Sequence, residues 1–319
     1  MKTHIAPLLL ALAAATEAAP AGKVTCLGLP NCYQLSNGVV EVVVTTDVGP
    51  RIAAYRFAGG ENILSELPDP RRANTEFRIW GGHRLWLAPE AKERTSLPDN
   101  VPLAHRQEAD GTLRLTAPTD AGGIQKEMAV RLDPEGTGVT VEHRVTNRGL
   151  WAVELAPWAI TILRGGGTGL IPQEPYRRHE ESLLPARSMA LWSYTDLADA
   201  RLTIGSKYLR VRTDAANKEP LKIGVGNKQG WMAYHVDRSL FVKRFRHEEG
   251  AAYPDLGSNA EIYTQGSFIE LESLAPLQKL DPGASATHVE RWWLFKDVVL
   301  GASDADAASA LAAPLATAQ

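Results

Sequence analysis

Two strand-like runs, GVVEVVVTTD at positions 38–47 and RIAAYRF at positions 51–57, decide the fold class. The first run is rich in β-branched residues, which favour an extended backbone, and it begins after a Ser-Asn-Gly turn signal. Gly49-Pro50 then separates the two runs, and Gly and Pro are the residues that most strongly mark turns. This strand–turn–strand pattern is typical of an all-β fold.

The same alternation of extended runs and turns continues along most of the chain. Further predicted strands are Leu113–Thr116, Gln125–Leu132, Val139–Thr146, Val153–Leu163, Leu202–Ile204, Leu209–Thr213, Leu221–Val225, Trp231–His235, Leu240–Phe245, Glu261–Tyr263, Ser267–Leu274 and His288–Phe295. The sequence shows no convincing amphipathic helix among them and no fixed repeat period, which weighs against a propeller. It shows no clear linker either, so we predict one large antiparallel β domain over residues 22–300.

Composition limits the classes of function. The 319 residues carry 34 Lys and Arg and 37 Asp and Glu, so the formal net charge is −3. This near-neutral balance argues against a nucleic-acid partner and against binding to an anionic membrane. Hydrophobic residues make up 44% of the chain, which is enough to build a core and excludes a disordered chain. The 27 Gly and 20 Pro residues favour numerous short strands.

The N-terminal segment has the features of a secretory signal peptide. The apolar run Ile5–Ala15 follows a weakly basic start and is too short for a stable membrane anchor. Small residues then permit cleavage after Ala21 or, almost as well, after Ala18. A signal peptide over residues 1–21 predicts a periplasmic or secreted protein with no membrane attachment after cleavage. A lipoprotein modified at Cys26 and a buried N-terminal helix are the less favoured alternatives.

Cys26 and Cys32 are the two cysteines of the chain. Export into an oxidising compartment predicts a disulfide between them, and the turn-rich sequence LGLPN allows the sulfurs to approach. So short a loop constrains the unfolded chain only modestly, and the expected role is to hold the mature N-terminus. A metal site would need more ligands than this neighbourhood offers. We predict no metal and no cofactor.

The segment 301–319 is mostly Ala and Ser. It is predicted to form either one short helix over Asp304–Leu311 or a frayed, weakly docked end. We therefore place it outside the β domain, as an Ala-rich tail.

Two acidic residues share one face of the predicted strand Ser267–Leu274. Alternation places Glu270 and Glu272 on one side of it and Ile269 and Leu271 on the other. Neighbouring carboxylates disfavour each other's ionisation, which suits acid–base chemistry in a partly buried cleft. Spacing alone favours a solvent-facing edge over such a cleft.

A second mixed face runs through the last predicted strand, where His288, Glu290 and Trp292 alternate. An aromatic ring beside polar groups is typical of a surface on which a sugar stacks. It is equally typical of a core Trp next to the solvated end of a strand. By contrast, His143 alternates with the apolar Val141 and Val145. That pattern favours a hydrogen-bonded core histidine over a catalytic one.

Gly81-Gly82-His83-Arg84 is expected to form a loop between strands. A Gly pair permits a tight turn or a close approach to a ligand, and His83 with Arg84 is a candidate pair for an anion or a hydroxyl group. The alternative is a purely structural turn. Lys126 and Glu127 must point to opposite faces of their strand, so at most one of them faces a site. The motifs of zinc proteases, serine hydrolases and P-loop enzymes do not occur.

An ordered set of short motifs resembles the galactose mutarotase-like superfamily and, more closely, a bacterial branch of aldose-1-epimerase-like proteins. The motifs are Gly49-Pro50-Arg51-Ile52, Trp80–Trp86, Thr146-Asn147, Glu154–Trp158, Phe268–Glu272 and Leu280–Gly283. The resemblance covers most of the mature chain and lies in the order of the motifs. It implies a β-supersandwich that binds its ligand on a concave sheet face.

The resemblance also implies roles for individual residues. Glu272 best matches the general base of the epimerases, with Glu270 one strand repeat away, and His83 with Arg84 matches a substrate-binding segment. In these enzymes the base removes the O1 proton of the cyclic sugar while an acid histidine protonates the ring oxygen. The ring then opens and closes as the other anomer.

The sequence departs from the family's pattern at the histidine that serves as general acid. The equivalent stretch, Glu154–Trp158, contains no histidine. The acid is then missing, moved or replaced, and the candidate replacements are Glu154, which shares a strand face with Trp158, and His83, which could reach in from its loop.

Three functions follow as hypotheses. The first is an exported sugar mutarotase, an isomerase with Glu272 as base and His83 or Glu154 as acid. The second is a carbohydrate-binding protein without catalysis, suggested by the missing histidine and by eight Trp residues. The third is a polysaccharide lyase-related enzyme, in which Arg84, Lys126 or Lys243 neutralises a uronate. The candidate substrate-binding residues are Arg84, Trp158, Glu270, His288 and Lys126. The oligomeric state is left open.

Overall fold

The strands are short and follow one another almost without interruption in the computed structural model, which describes residues 20–68 and 75–319. Their bounds are β1 Gly22–Cys26, β2 Leu29–Ser36, β3 Val40–Thr45, β4 Arg51–Phe57, β5 Glu66–Leu67, β6 Trp80–Gly81, β7 His83–Ala88, β8 Ala104–Gln107, β9 Leu113–Thr116, β10 Ile124–Leu132, β11 Val139–Asn147, β12 Val153–Arg164, β13 Thr168–Pro172, β14 Met189–Leu191, β15 Leu202–Ile204, β16 Tyr208–Arg212, β17 Leu221–Val225, β18 Trp231–Val236, β19 Ser239–Phe245, β20 Ala260–Gln265, β21 Phe268–Leu274, β22 Gln278–Leu280 and β23 Ser285–Phe295. The helices are α1 Lys92–Thr95, α2 Pro254–Gly257 and α3 Asp304–Thr317, with a 3-10 turn at His179–Glu181. The predicted signal peptide falls outside the described residues except for its last two positions.

Two large antiparallel sheets contain nearly all of these strands. The first has the order β1-β2-β3-β4-β7-β12-β21-β20-β17-β14, with β22 beside β12. The second has the order β15-β16-β13-β18-β19-β23-β11-β10-β9-β8, and β5 pairs separately with β6. The predicted all-β fold with large antiparallel sheets is confirmed.

The two sheets pack against each other through an apolar core. Leu85 of the first sheet belongs to the same buried cluster as Val141 and Trp292 of the second. Residues of β12 at alternate positions, among them Trp158 and Ile160, form a separate buried cluster. This second cluster lies on the opposite side of the first sheet, which we call its outer face.

The Gly81-Gly82-His83-Arg84 segment, predicted as a loop, leads directly into a central strand. The two glycines have φ values of +82° and +68°, and a Cβ on either would lie 2.1 Å from the backbone oxygen of Ser65 or Ile52. Only glycine fits so close an approach. The loop prediction is wrong because this Gly pair passes the chain tightly against neighbouring backbone, and β7 begins at His83.

The predicted disulfide between Cys26 and Cys32 is present and joins β1 to β2. Beside it, Asn31 Nδ2 donates to Asp47 Oδ1 at 2.8 Å, which ties the hairpin to the loop after β3. In the part of the chain that the structure describes, no helix is both long enough and apolar enough to cross a membrane.

The Ala-rich tail is docked as a helix. Its first turn is capped by the Ser303 hydroxyl, which accepts from the Asp306 amide at 3.1 Å. Ala307 and Leu311 are fully buried in a cluster with Trp231 and other residues on the side of the second sheet that faces away from the core. The frayed alternative is wrong because these small apolar residues cover that patch, and α3 extends past the predicted end to Thr317.

We expect Leu311→Ala to lower the free energy of unfolding by about 2 to 5 kcal/mol, because it leaves a cavity under the docked helix. Urea unfolding followed by Trp fluorescence measures the change. Ala312→Ser, on the exposed side of α3, is the matched control and should change stability by less than about 0.5 kcal/mol. An unaltered Leu311→Ala midpoint would show that the tail does not dock in solution.

Candidate functional site

Charged and aromatic side chains meet on the outer face of the first sheet. Ile160 of β12 is in register with Arg84 of β7 on one side and with Glu272 of β21 on the other. Glu272 is in turn in register with Glu261 of β20. We call the resulting cluster the outer-face site; its members are Arg84, Trp86, Trp158, Lys222, Glu261, Glu270 and Glu272.

Lys222 joins two of the carboxylates. Its Nζ lies 2.9 Å from Glu272 Oε2 and 2.8 Å from Glu261 Oε2. The ammonium also sits 4.6 Å from the ring centres of both Trp158 and Trp192. Burial alone would lower the pKa of Lys222, but the charges of Glu272 and Glu261 outweigh burial and raise it. Lys222 is therefore a permanent cation in the floor of the site.

Glu272 is fully buried and keeps one oxygen free. Its Oε2 accepts from Trp158 Nε1 at 2.8 Å as well as from Lys222. Its Oε1 has no hydrogen-bond partner within the described residues. A buried carboxylate oxygen without a partner is costly, and it keeps its capacity to accept a hydrogen bond.

Glu270 lies one strand repeat from Glu272 on the same face. Burial raises its pKa to about 7, opposed by the charge of Arg84 and assisted by that of Glu272. Arg84 Nη2 is 3.4 Å from Glu270 Oε1, and the guanidinium stacks 4.2 Å from the ring centre of Trp86. Arg84 Nε and Nη1 have no hydrogen-bond partner among the described residues. The solvent-edge expectation for the two glutamates is wrong, because neighbouring strands and aromatic rings bury them.

Four of the predicted site residues lie elsewhere. His83 and His288 point between the two sheets, away from the outer face. Glu154 is exposed and lies four positions along β12 from Trp158, about 13 Å by strand geometry. Lys126 lines a separate cavity beside β10. The structure thus unites Arg84, Trp158, Glu270 and Glu272 and separates them from the other four.

A buried hydrogen-bonded chain, which we call the inner cluster, lies beneath the site between the sheets. Lys243 Nζ donates to Thr161 Oγ1 at 3.1 Å, and that hydroxyl contacts His83 Nδ1 at 2.9 Å. His83 Nε2 lies 2.6 Å from His143 Nε2, whose Nδ1 donates to the His288 backbone oxygen at 3.0 Å. His143 is thus the hydrogen-bonded core histidine that its apolar neighbours predict.

Glu290 balances the charge of the inner cluster. Lys243 Nζ lies 2.5 Å from its Oε1, and Trp292 Nε1 donates to its Oε2 at 2.8 Å. Ligand atoms of His83, His143 and Glu290 lie within 4.8 Å of one another, a donor set that zinc can use. Each of these atoms already has a polar partner within the cluster, so the cluster is complete with its own hydrogen bonds.

Comparison with known proteins establishes the fold. The chain matches no protein-family model and no curated protein. It does match solved structures, including a galactose mutarotase-like protein from Clostridium acetobutylicum, with 10% identity, a TM-score of 0.54, and coverage of 88% of this chain and 99% of that one. A galactose mutarotase-like protein from Lactobacillus casei gives 10% identity, a TM-score of 0.53, and coverage of 83% and 100%. This chain has the galactose mutarotase-like fold.

A third match has a different extent. It is to a TPR-domain containing protein from Parabacteroides distasonis, at 13% identity and a TM-score of 0.55. The match covers 85% of this chain but only 48% of that one, so this chain spans about half of that protein. At identities of 10% to 13%, the mutarotase-like fold is shared and the reaction has to be argued from the site.

Sequence reasoning missed three members of the site in this mutarotase-like fold: Trp86, Lys222 and Glu261. Lys222 interrupts an otherwise apolar strand, LKIGV, and that interruption is the signal a closer inspection could have used. Trp86 ends the motif Trp80–Trp86 and Glu261 begins a predicted strand, but neither was assigned to the site. The pairing of β17 with β20 and of β20 with β21 brings Lys222 and Glu261 to Glu272. β20 and β21 form a hairpin with a two-residue turn, whereas the pairing of β17 with β20 is long-range and cannot be deduced from one sequence.

The inner cluster makes a prediction about acid stability. Burial lowers the pKa of His288 to about 3, against the attraction of Glu290. Because the folded pKa lies below the unfolded value near 6.5, the neutral histidine stabilises the fold above that pH. This contribution is lost as pH falls, by about 1.4 kcal/mol for each pH unit.

We therefore expect the stability difference between wild type and His288→Gln to shrink by that amount per unit between about pH 6 and pH 4. Urea unfolding at several pH values measures it, and contributions from Glu270 and Glu261 cancel in the difference. The exposed His179→Gln is the control for removing a histidine. A slope equal to that of the control would contradict the buried neutral state.

Proposed function

We propose that this protein binds a sugar at the outer-face site and interconverts its anomers by acid–base catalysis. The observation that carries the proposal is the pair of glutamates on one face of β21. Glu272 keeps a buried oxygen free to accept a proton, and Glu270, with a pKa of about 7, is available to donate one. Two carboxyl groups in different environments are a common basis for acid and base roles.

The pair supplies both proton transfers of the reaction. Glu272 Oε1 takes the O1 proton of the cyclic sugar while protonated Glu270 gives a proton to the ring oxygen, so the C1–O5 bond breaks and a C1 carbonyl forms. Rotation about the C1–C2 bond and reversal of both transfers close the ring as the other anomer. Lys222, at 2.9 Å from Glu272, fixes the base through Oε2 and leaves Oε1 for the substrate.

The remaining groups of the site suit a sugar. Arg84 has two unpaired donor positions for hydroxyl oxygens, and its stack on Trp86 holds them in place. The Trp86 and Trp158 rings lie 5.4 Å apart and edge to face. Aromatic faces next to hydrogen-bonding groups fit the alternating apolar and polar surface of a pyranose.

Glu270 replaces His83 and Glu154 as the acid in this proposal. His83 is on the opposite face of the sheet from Glu272, because adjacent residues of β7 alternate. Glu154 is exposed at the far end of β12. Neither side chain is placed to protonate the ring oxygen of a sugar whose O1 lies against Glu272.

We expect Glu272→Gln and Glu270→Gln each to lower kcat/KM for anomer exchange by about 100-fold or more, because each removes one proton transfer. NMR exchange spectroscopy on a panel of aldoses measures the rate without product separation. Glu154→Gln is the matched control and should leave the rate unaltered.

The pH profile tests the assignment of the acid. The reaction needs protonated Glu270, so the rate should fall above about pH 7, and Glu270→Gln should abolish this limb while keeping the fold. Wild-type rates no greater than those of Glu272→Gln for every aldose would eliminate catalysis.

A sugar-binding protein without catalysis is the second candidate. It is favoured by the Lys222 ammonium, which lies between the Trp158 and Trp192 rings and gives the site a rigid floor. Calorimetric binding that survives Glu272→Gln, with no anomer exchange in wild type, would favour this candidate. The lyase hypothesis loses two of its three basic residues, since Lys243 is buried between the sheets and Lys126 lies in another cavity.

We also propose that the protein is exported and cleaved after Ala21. The signal-peptide pattern motivates this, and the Cys26–Cys32 disulfide supports it because disulfides persist in oxidising compartments. Expressed in a Gram-negative host, the full chain should reach the periplasm with Gly22 as its first residue. Leu9→Arg, which interrupts the apolar run, should keep it uncleaved in the cytoplasm. Uncleaved wild type in the cytoplasm would overturn the proposal.

A further inference from the structure

A turn that follows β14 lies against the outer-face site. It comprises residues 192–195, and we call it the 192–195 turn. Leu191 of β14 is in register with Ile223 of β17, so Trp192 comes beside Lys222. The centre of the Trp192 ring lies 4.6 Å from the Lys222 ammonium. The turn thus borders the central cation of the site.

Hydrogen bonds hold the 192–195 turn on the sheet. The Thr195 amide donates to the Trp192 backbone oxygen at 2.9 Å, and the Trp192 amide donates to Thr195 Oγ1 at 3.2 Å. The same Thr195 hydroxyl donates to the backbone oxygen of Lys222. Tyr194, which lies inside this turn, cannot move away from the site unless these bonds break.

Tyr194 lies near the charged groups of the outer-face site. The charges of Lys222, Glu272 and Glu90 all act on its phenol group. Glu90 follows β7, which is on the far side of the site from β14, and its charge acts on Glu270 as well. The phenol is therefore close to both sides of the site.

The Tyr194 hydroxyl is available to a ligand. The residue is 43% exposed, and its hydroxyl makes no hydrogen bond within the described residues. Partial burial raises the pKa of the phenol above its usual value, and this effect outweighs the charge of Lys222, which lowers it. The phenol is thus a neutral group that can both donate and accept a hydrogen bond.

The chemistry of the site limits what Tyr194 can contact. In the proposed reaction Glu272 and Glu270 meet O1 and the ring oxygen of the sugar, so Tyr194 is left with a hydroxyl that does not react. The Glu90 carboxylate disfavours an anionic group there, because like charges repel. A contact to a non-reacting hydroxyl stabilises the bound sugar and the transition state equally, so it changes KM rather than kcat.

We propose that Tyr194 is a substrate-binding residue that hydrogen-bonds one non-reacting hydroxyl of a neutral aldose and so contributes to the choice of sugar. The inference rests on the proposed function, because it takes the anomeric end of the sugar to lie at Glu270 and Glu272.

The test compares wild type with Tyr194→Phe, which removes the hydroxyl and keeps the ring. Calorimetric titration uses glucose and galactose as probes, followed by the deoxy sugars that each lack one non-anomeric hydroxyl of the hexose that binds more tightly. Tyr194→Phe should weaken binding of that hexose about 3- to 10-fold, the usual effect of one neutral hydrogen bond. KM for anomer exchange should rise by the same factor, while kcat changes by less than about twofold.

The deoxy sugars identify the contact. The sugar that lacks the hydroxyl bound by Tyr194 should bind equally well to wild type and to Tyr194→Phe, whereas the others should keep the difference between the two proteins. A purely structural effect would weaken the binding of all of them alike. Tyr176→Phe, at a tyrosine that is 88% exposed and lines a different cavity, is the matched control and should bind every sugar as wild type does.

The proposal is overturned if neither hexose binds, if Tyr194→Phe binds as wild type does, or if every deoxy sugar shows the same loss. Its failure differs from that of the proposed catalysis. Binding that weakens in Tyr194→Phe, without anomer exchange in wild type, would contradict catalysis alone. Anomer exchange in wild type with an unaltered KM in Tyr194→Phe would contradict only the role of Tyr194.

Discussion

Strand alternation places polar side chains on both faces of two strands of the site, β7 and β21. In β7, His83 points between the sheets and Arg84 points to the outer face. In β21, Glu272 points outward while Ser273 contacts His288 beneath it. The outer-face site and the inner cluster are therefore two sides of one piece of backbone, and neither can shift without the other.

Charges buried on both sides of a sheet need partners, because an unpaired buried charge is expensive. In this fold, Lys222 forms ion pairs with Glu261 and Glu272, and Lys243 forms an ion pair with Glu290. Replacing such pairs by apolar residues is often neutral for stability, so their value here lies in fixed geometry. Among the described residues, some atoms of the site keep no hydrogen-bond partner, and in the proposed function a ligand would supply it: Glu261 Oε1, Glu272 Oε1, and Nε and Nη1 of Arg84.

Local patterns predicted 14 of the 23 strands that the described residues form, because β-branched runs and Gly or Pro turns act over a few residues. The strands they missed are β1, β2, β5, β6, β7, β8, β13, β14 and β22. Local patterns also placed Glu270 and Glu272 on one face correctly. The same patterns could not show that this face is covered, since its cover comes from strands distant in the chain. Lys222 was missed for that reason, because β17 joins the sheet through its pairing with β20. Glu261 lies on the hairpin partner of β21, opposite Glu272, and its strand was predicted without its partner. The resemblance to mutarotases selected Arg84, Trp158 and the two glutamates. The choice of His83 and Glu154 as substitute acids was wrong, because His83 lies on the opposite face of the sheet and Glu154 lies too far along β12.

The order of strands in the first sheet has a consequence for how ligand binding and folding are linked. The site takes residues from four separate strands: Arg84, Trp158, Lys222 and Glu272. These strands come together only when the sheet has assembled. No fragment of the chain that lacks any of these strands would hold the complete set. A ligand at this site would thus bind only the fully assembled sandwich, and a hundredfold excess over its dissociation constant would stabilise the fold by about 2.7 kcal/mol. The melting temperature of the intact protein then becomes a direct way to find that ligand.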